Sequence, residues 1–138
     1  MQKIILDTNI VVSALIQNSY PHYIVFEKIL NGKMQLCLSE ALLNEYFDVL
    51  SRPKFVKFYN FEQNAKIVLN RFATIALFYK PKIHLDILTD KSDNKLLELA
   101  YESKSDFLVT GNSVHFTFAY YEQTRILSPR DFWEMWIN

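Results

Sequence analysis

Glycine is nearly absent from this chain, with two residues in 138, alongside four prolines and one cysteine. So few flexible or helix-breaking positions, with no repeat and no low-complexity tract, exclude long disordered linkers and a glycine-rich phosphate loop after the first strand. The lone Cys37, set in the apolar run Leu36–Leu38, has no second thiol for a disulfide or a metal site, so it reads as core packing. No apolar run approaches the roughly 18 residues of a membrane helix. Met1 is followed within three residues by the first expected strand, which leaves no room for a signal peptide, and the expected site of action is cytoplasmic. Net charge is missing too, with 15 basic and 15 acidic residues, so bulk composition does not mark a nucleic-acid binder. What the chain has in quantity is apolar surface: 50% of its residues are hydrophobic, enough for the core of one domain spanning residues 1–138.

Charge is sorted along the chain. Between Arg52 and Lys82 the bases are Arg52, Lys54, Lys57, Lys66, Arg71, Lys80 and Lys82, against the single acid Glu62. Between Ile83 and Asp106 the balance reverses, with Asp86, Asp90, Asp93, Glu98, Glu102 and Asp106 against Lys91, Lys95 and Lys104. An acidic locus beside a basic one suits a metal site next to a polyanion track; ordinary solvated helix faces give the same pattern.

Apolar runs and turn signals alternate in a way that predicts strands and helices in succession. Strands are expected at Lys3–Leu6, Gln35–Leu38, Leu77–Tyr79, Phe107–Thr110 and Arg125–Leu127. Helices are expected near Asn9–Gln17, His22–Leu30, Glu40–Leu50 after Ser39 as N-cap, Asp93–Ser103 after Ser92 as N-cap, and Arg130–Trp136. The stretch from Phe55 to Phe78 reads as helical in two pieces broken near Asn60. This order predicts an α/β fold with a mostly parallel sheet, helices on both faces and every parallel strand's carboxyl end on one edge.

Asp7 ends the first apolar run and therefore faces the crevice where open α/β sheets bind ligands. Glu45 lies just off the apolar face formed by Leu42, Leu43, Tyr46, Phe47, Val49 and Leu50, where it can lean over the sheet rim; a solvated glutamate sits there equally well. Asp93 projects in line with Leu96, Leu97 and Ala100 on the buried side of its helix, although an acid in a first turn also serves merely to cap it. Asp90 is the alternative acid. Three converging carboxylates would meet the needs of a hard divalent cation. Asn112 follows its strand as Asp7 follows the first, and His115, three residues on, can touch phosphate or hold water or serve only in packing. Thr8, Asn9 and Thr110 are either groups that fix the carboxylates or touch substrate, or plain turn formers.

Taken together, Asp7-Thr-Asn, Glu45 within Leu43-Asn-Glu-Tyr-Phe-Asp-Val-Leu-Ser-Arg-Pro-Lys-Phe, Asp93-Asn-Lys-Leu-Leu-Glu-Leu-Ala and Phe107-Leu-Val-Thr-Gly-Asn resemble the PIN domain, closest to its small bacterial branch of toxins from toxin–antitoxin pairs. The resemblance implies a three-layer α/β/α fold with about five strands, and metal-dependent ribonuclease activity on single-stranded RNA. It carries metal binding by Mg²⁺ or Mn²⁺ onto Asp7, Glu45 and Asp93, with Asp90 beside them, and it implies a homodimer and a cognate antitoxin that blocks the pocket. Many PIN nucleases carry a fourth acid after the fourth strand, where this chain has Asn112. Arg52, Lys54 and Lys57, interleaved with Phe55, Phe58 and Tyr59, are candidates for the RNA path by charge and stacking. The competing reading is a catalytically silent PIN-like module that binds RNA or protein. An acidic receiver domain is disfavoured, because no lysine follows the turn of the late strand.

Overall fold

The computed structural model describes residues 1–112 and 115–137. Along the chain run β1 (Lys3–Leu6), α1 (Thr8–Ile16), α2 (Tyr20–Tyr23) continued by a π-helical turn Ile24–Ile29, β2 (Gln35–Leu38), α3 (Glu40–Leu50) and a 3₁₀ turn Pro53–Phe55. There follow α4 (Phe61–Ile75), β3 (Leu77–Phe78), α5 (Lys91–Ser103), β4 (Phe107–Val109), β5 (Tyr120–Tyr121), β6 (Thr124–Leu127) and α6 (Pro129–Ile137).

The strands form one sheet in the order β3-β2-β1-β4-β6-β5. All pairings are parallel except that of β5 with β6. The sheet thus has six strands rather than about five, because β5 is only Tyr120 and Tyr121, too short to leave a periodic pattern. Ile4, Ile5, Leu6, Leu36, Cys37, Leu38, Leu108 and Val109 are fully buried, as strands covered on both faces require, and Cys37 is core packing.

The chain passes from β1 through β2 to β3 in one direction and from β4 to β6 in the other. Neighbouring strands whose connections diverge create a crevice at their carboxyl ends, here between β1 and β4. α1, α3 and α4 pack on one another and α2 packs on α6, whereas α5 packs against β2 and β5. A right-handed crossover from β3 to β4 runs opposite to those from β1 to β3, which puts α5 on the other face. The layers are therefore α/β/α.

Local chemistry sets the helix starts at the rim. Ser39 caps α3, its Oγ accepting the Leu42 N–H at 3.0 Å. At α5 the expected cap, Ser92, is displaced by Asp90: the Asp90 backbone is extended and its Oδ1 accepts the Ser92 N–H at 2.8 Å, so the helix starts two residues earlier. Aspartate caps as well as serine does, and the earlier start places Asp93 within the first turn of α5. The break near Asn60 is real: that residue is left-handed, with φ 54°, between the 3₁₀ turn and α4.

Candidate functional site

The switch point between β1 and β4 is tied together by side chains. Thr110, fully buried at the end of β4, donates its hydroxyl to Asp7 Oδ2 at 2.7 Å, and the same Oγ1 accepts the Asn112 N–H at 3.0 Å. Thr8, buried in the first turn of α1, donates its hydroxyl to Glu45 Oε2. Beside Glu45, the buried Tyr46 hydroxyl bonds the Leu6 carbonyl, so α3 is fastened to the end of β1 just where its acid points to the rim. Thr8 and Thr110 thus spend their hydroxyls on carboxylates.

Asp7 and Glu45 line a narrow crevice of about 70 Å³ between α3 and α5, with Ser39, Ser92 and Lys95 at its wall. Lys95 carried no assignment from sequence; its one signal was a base inside the acidic segment, two residues after Asp93. Burial pushes the Asp7 carboxyl above its ordinary range; the carboxylates of Asp93 and Glu45 add to the rise, and the Thr110 hydroxyl opposes it. Asp7 therefore feels both of the other acids predicted to share its pocket.

Asp93 is 4% exposed on α5 and opens into a neighbouring cavity of about 550 Å³, lined also by Asp90, His115, Thr89 and Thr117. Its Oδ2 is buried and finds no hydrogen-bond partner among the described residues. His115 Nδ1 stands 3.3 Å away, near enough to pair with it but not aligned as a hydrogen bond. Burial raises the Asp93 carboxyl, the Asp90 carboxylate raises it further, and His115 works against both. One ligand atom each from Asp90, Asp93 and His115 lies within 4.8 Å of the others. Among the described residues this is the one set of three carboxylate, imidazole or thiol groups so close together. It joins His115, assigned from sequence to substrate, with both acids of the α5 start, while Asp7 and Glu45 lie outside it. A buried carboxylate with no aligned hydrogen bond on one oxygen among the described residues, beside a second carboxylate and an imidazole, fits a divalent cation.

A sequence profile of the PIN domain matches residues 3–113. The chain belongs to the PIN domain family. It is 33% identical over 112 residues to an uncharacterized protein of Methanocaldococcus jannaschii, covering 80% of this chain and 70% of that one. In solved structures it resembles VapBC2 from Rickettsia felis, whose crystal structure contains a DNA fragment from the VapBC2 promoter. That match has 18% identity and a TM-score of 0.58, covers 91% of this chain and 97% of the other, and is a likeness of fold.

The remaining residues of this PIN domain singled out from sequence sit apart from the acids or at their margin. Asn9 is exposed on α1, and Asn112 is half-buried. Arg52 is exposed and pairs with Asp48 at 3.5 Å. The Lys54 and Lys57 ammonium groups lie over the rings of Phe55 and Phe58. Phe55 is buried and stacked on Phe61, Phe58 leans on the same ring, and Tyr59, at 91% exposure, presents the open aromatic face of this loop.

Proposed function

We propose that this PIN domain is a metal-dependent endoribonuclease that hydrolyses phosphodiester bonds of single-stranded RNA, as the toxin of a type II toxin–antitoxin pair. The observation that carries the reading is the buried Asp93 carboxylate: its Oδ2 finds no aligned hydrogen bond among the described residues, and one of its oxygens lies within 4.8 Å of a ligand atom of Asp90 and of His115. Asp90, Asp93 and His115 would hold Mn²⁺ or Mg²⁺, with Asp7 and Glu45 as further carboxylate ligands from the crevice beside them. When bound, such an ion supplies Lewis-acid chemistry, neutralising phosphate charge and making water more acidic.

The chain's own residues do the rest. Thr110 and Thr8 hold the Asp7 and Glu45 carboxylates in one orientation, so that they receive and align a water without first reorganising. Lys95, at the crevice wall, meets the phosphate backbone, and Asn112 orients water or a ribose hydroxyl. Arg52, Lys54, Lys57 and the exposed Tyr59 ring continue the RNA track by charge and stacking. The fold likeness to a VapBC protein supports a cognate antitoxin as partner; that the antitoxin covers the acids, and that the toxin is a homodimer acting in the cytoplasm, belong to the same proposal.

A silent RNA- or protein-binding module is the second reading, favoured by the uncharged Asn112 and by the position of Asp7 and Glu45 outside the tight ligand set. Purified protein incubated with a mixed single-stranded RNA pool, with Mn²⁺ and with chelator, separates the two. Metal-stimulated cutting that vanishes in Asp7→Asn and Asp93→Asn, with folding retained by circular dichroism, supports the nuclease. Metal-independent binding without cutting supports the module.

A further inference from the structure

We infer that Asn94 is a positioning residue, which sets Asp90 against Asp93 and His115 by clamping the backbone of Ile87 and Leu88. The inference rests on the metal reading above and concerns a side chain that the reading does not use.

Asn94 is 3% exposed. Its Oδ1 accepts the N–H groups of Ile87 at 3.2 Å and Leu88 at 2.9 Å, while its Nδ2 donates to the Leu88 carbonyl at 2.8 Å. An asparagine side chain offers two acceptor and two donor positions, so three of the four are committed to two consecutive residues. Both polar groups of Leu88 are held at once, and that fixes the direction in which the chain leaves it as well as its place.

This matters because the chain from Tyr79 to Asp90 has no regular structure to hold it. Glu98, one turn further along α5, accepts the Leu85 N–H at 2.9 Å, so the helix grips the segment at two levels. Asn94 is the grip nearer the acids. Two residues after Leu88 comes Asp90, exposed to solvent, whose Oδ1 is spent on the Ser92 N–H. The loop from Leu88 to Ser92 is therefore pinned at one end by the Asn94 amide and at the other by the start of α5. Without the first pin, Asp90 is held from the α5 side alone, by the Ser92 N–H on its Oδ1 and the Asn94 N–H on its carbonyl, and the incoming chain no longer fixes the direction of its carboxylate toward the buried Asp93. A buried leucine would fill the same space without this control. A buried amide is costly unless satisfied, and here it is satisfied by the loop alone.

The test is Mn²⁺ binding by isothermal titration calorimetry to the full chain and to Asn94→Ala, Glu98→Ala, Asp90→Asn and the Asp90→Asn/Asn94→Ala double variant. Groups that orient a metal ligand from behind cost about 10–100-fold in affinity when removed, and Asn94→Ala is expected in that range. Glu98→Ala is expected to bind as the unaltered chain does. In the Asp90→Asn background the Asn94→Ala change is expected to add nothing, since the ligand through which it acts is gone. Hydrogen exchange at the Leu88 amide, read without metal, is expected to speed up in Asn94→Ala. Should Asn94→Ala fail to fold, Asn94→Leu takes its place in the same cycle, filling the space without a bond to the loop and without added charge. Unchanged Mn²⁺ affinity, an equal loss in Glu98→Ala, or the same loss with Asp90 already replaced would each overturn the positioning role while leaving the metal site standing. Absence of Mn²⁺ binding to the unaltered chain would instead overturn the metal reading, and this inference with it.

Discussion

The Thr110 hydroxyl reaches Asp7 Oδ2 across 2.7 Å, joining two residues 103 positions apart at the ends of adjacent strands. This bond crosses the divergence between β1 and β4, and it is the main favourable contact on a carboxylate that burial and two neighbouring acids oppose.

Removing it tests orientation against packing. Thr110→Val keeps the buried volume but leaves Asp7 unheld, and the loss of a hydrogen bond to a charged group costs about 1.5–3 kcal/mol. Part of that loss is offset in metal-free protein, where Asp7 can take up a proton. RNA cleavage is expected to fall about 10-fold or more in kcat, with KM little changed, as for a group that acts on the reacting geometry. Thr110→Ser, which keeps the hydroxyl, is expected to restore most of the rate in the same assay.

The acids destabilise the metal-free fold. The folded-state pKa of Asp7 is raised above its ordinary 3.8, chiefly by burial. Its contribution to stability is therefore fullest below that value and is lost as pH rises through the folded pKa. Asp93, raised by burial and by Asp90, acts in the same sense. In chelator, Asp7→Asn is expected to melt higher than the unaltered chain, by a margin that grows from about pH 4 upward and then levels. Thermal melts across pH, with and without Mn²⁺, check this; saturating Mn²⁺ should erase or reverse the margin.

His115 brings a nitrogen ligand to a set of carboxylates. Carboxylates serve Mg²⁺ and Mn²⁺ alike, whereas imidazole suits the transition metal better. His115→Ala is expected to lose more Mn²⁺ than Mg²⁺ affinity, and cleavage rates in the two metals should move closer together. Titration of both ions into the variant is the measurement.

Lys95 is the base that lines the crevice of Asp7 and Glu45. Lys95→Ala is expected to raise KM for RNA several-fold and to flatten the dependence of binding on salt by close to one phosphate contact. Binding to a non-cleaved single strand at several ionic strengths reads this directly. Lys57→Ala, on the loop after α3, gives the comparison for the track proposed there.

How much of this was legible in the chain follows from how local each feature is. A buried parallel strand is a short apolar run and a helix face is a 100° stripe, so β1 with Asp7 at its end, β2, α3 with Glu45 on its border and Asp93 on the inward side of α5 could all be read from sequence. The order of those pieces also carried the family, which the profile match over residues 3–113 shows. Tyr120–Tyr121 is too short to have a period, and whether Asp90 or Ser92 caps α5 is a contest between two good caps that only the backbone path resolves. The pairing of His115 with Asp93, the clasp of Thr110 on Asp7, the presence of Lys95 in the crevice and the grip of Asn94 on Leu88 all needed the fold. Sequence determined which acids stand at the rim, because strand ends and helix faces are local. Only tertiary structure decided which of them share space, because burial and side-chain distance arise when β1, β4 and α5, remote along the chain, are packed together.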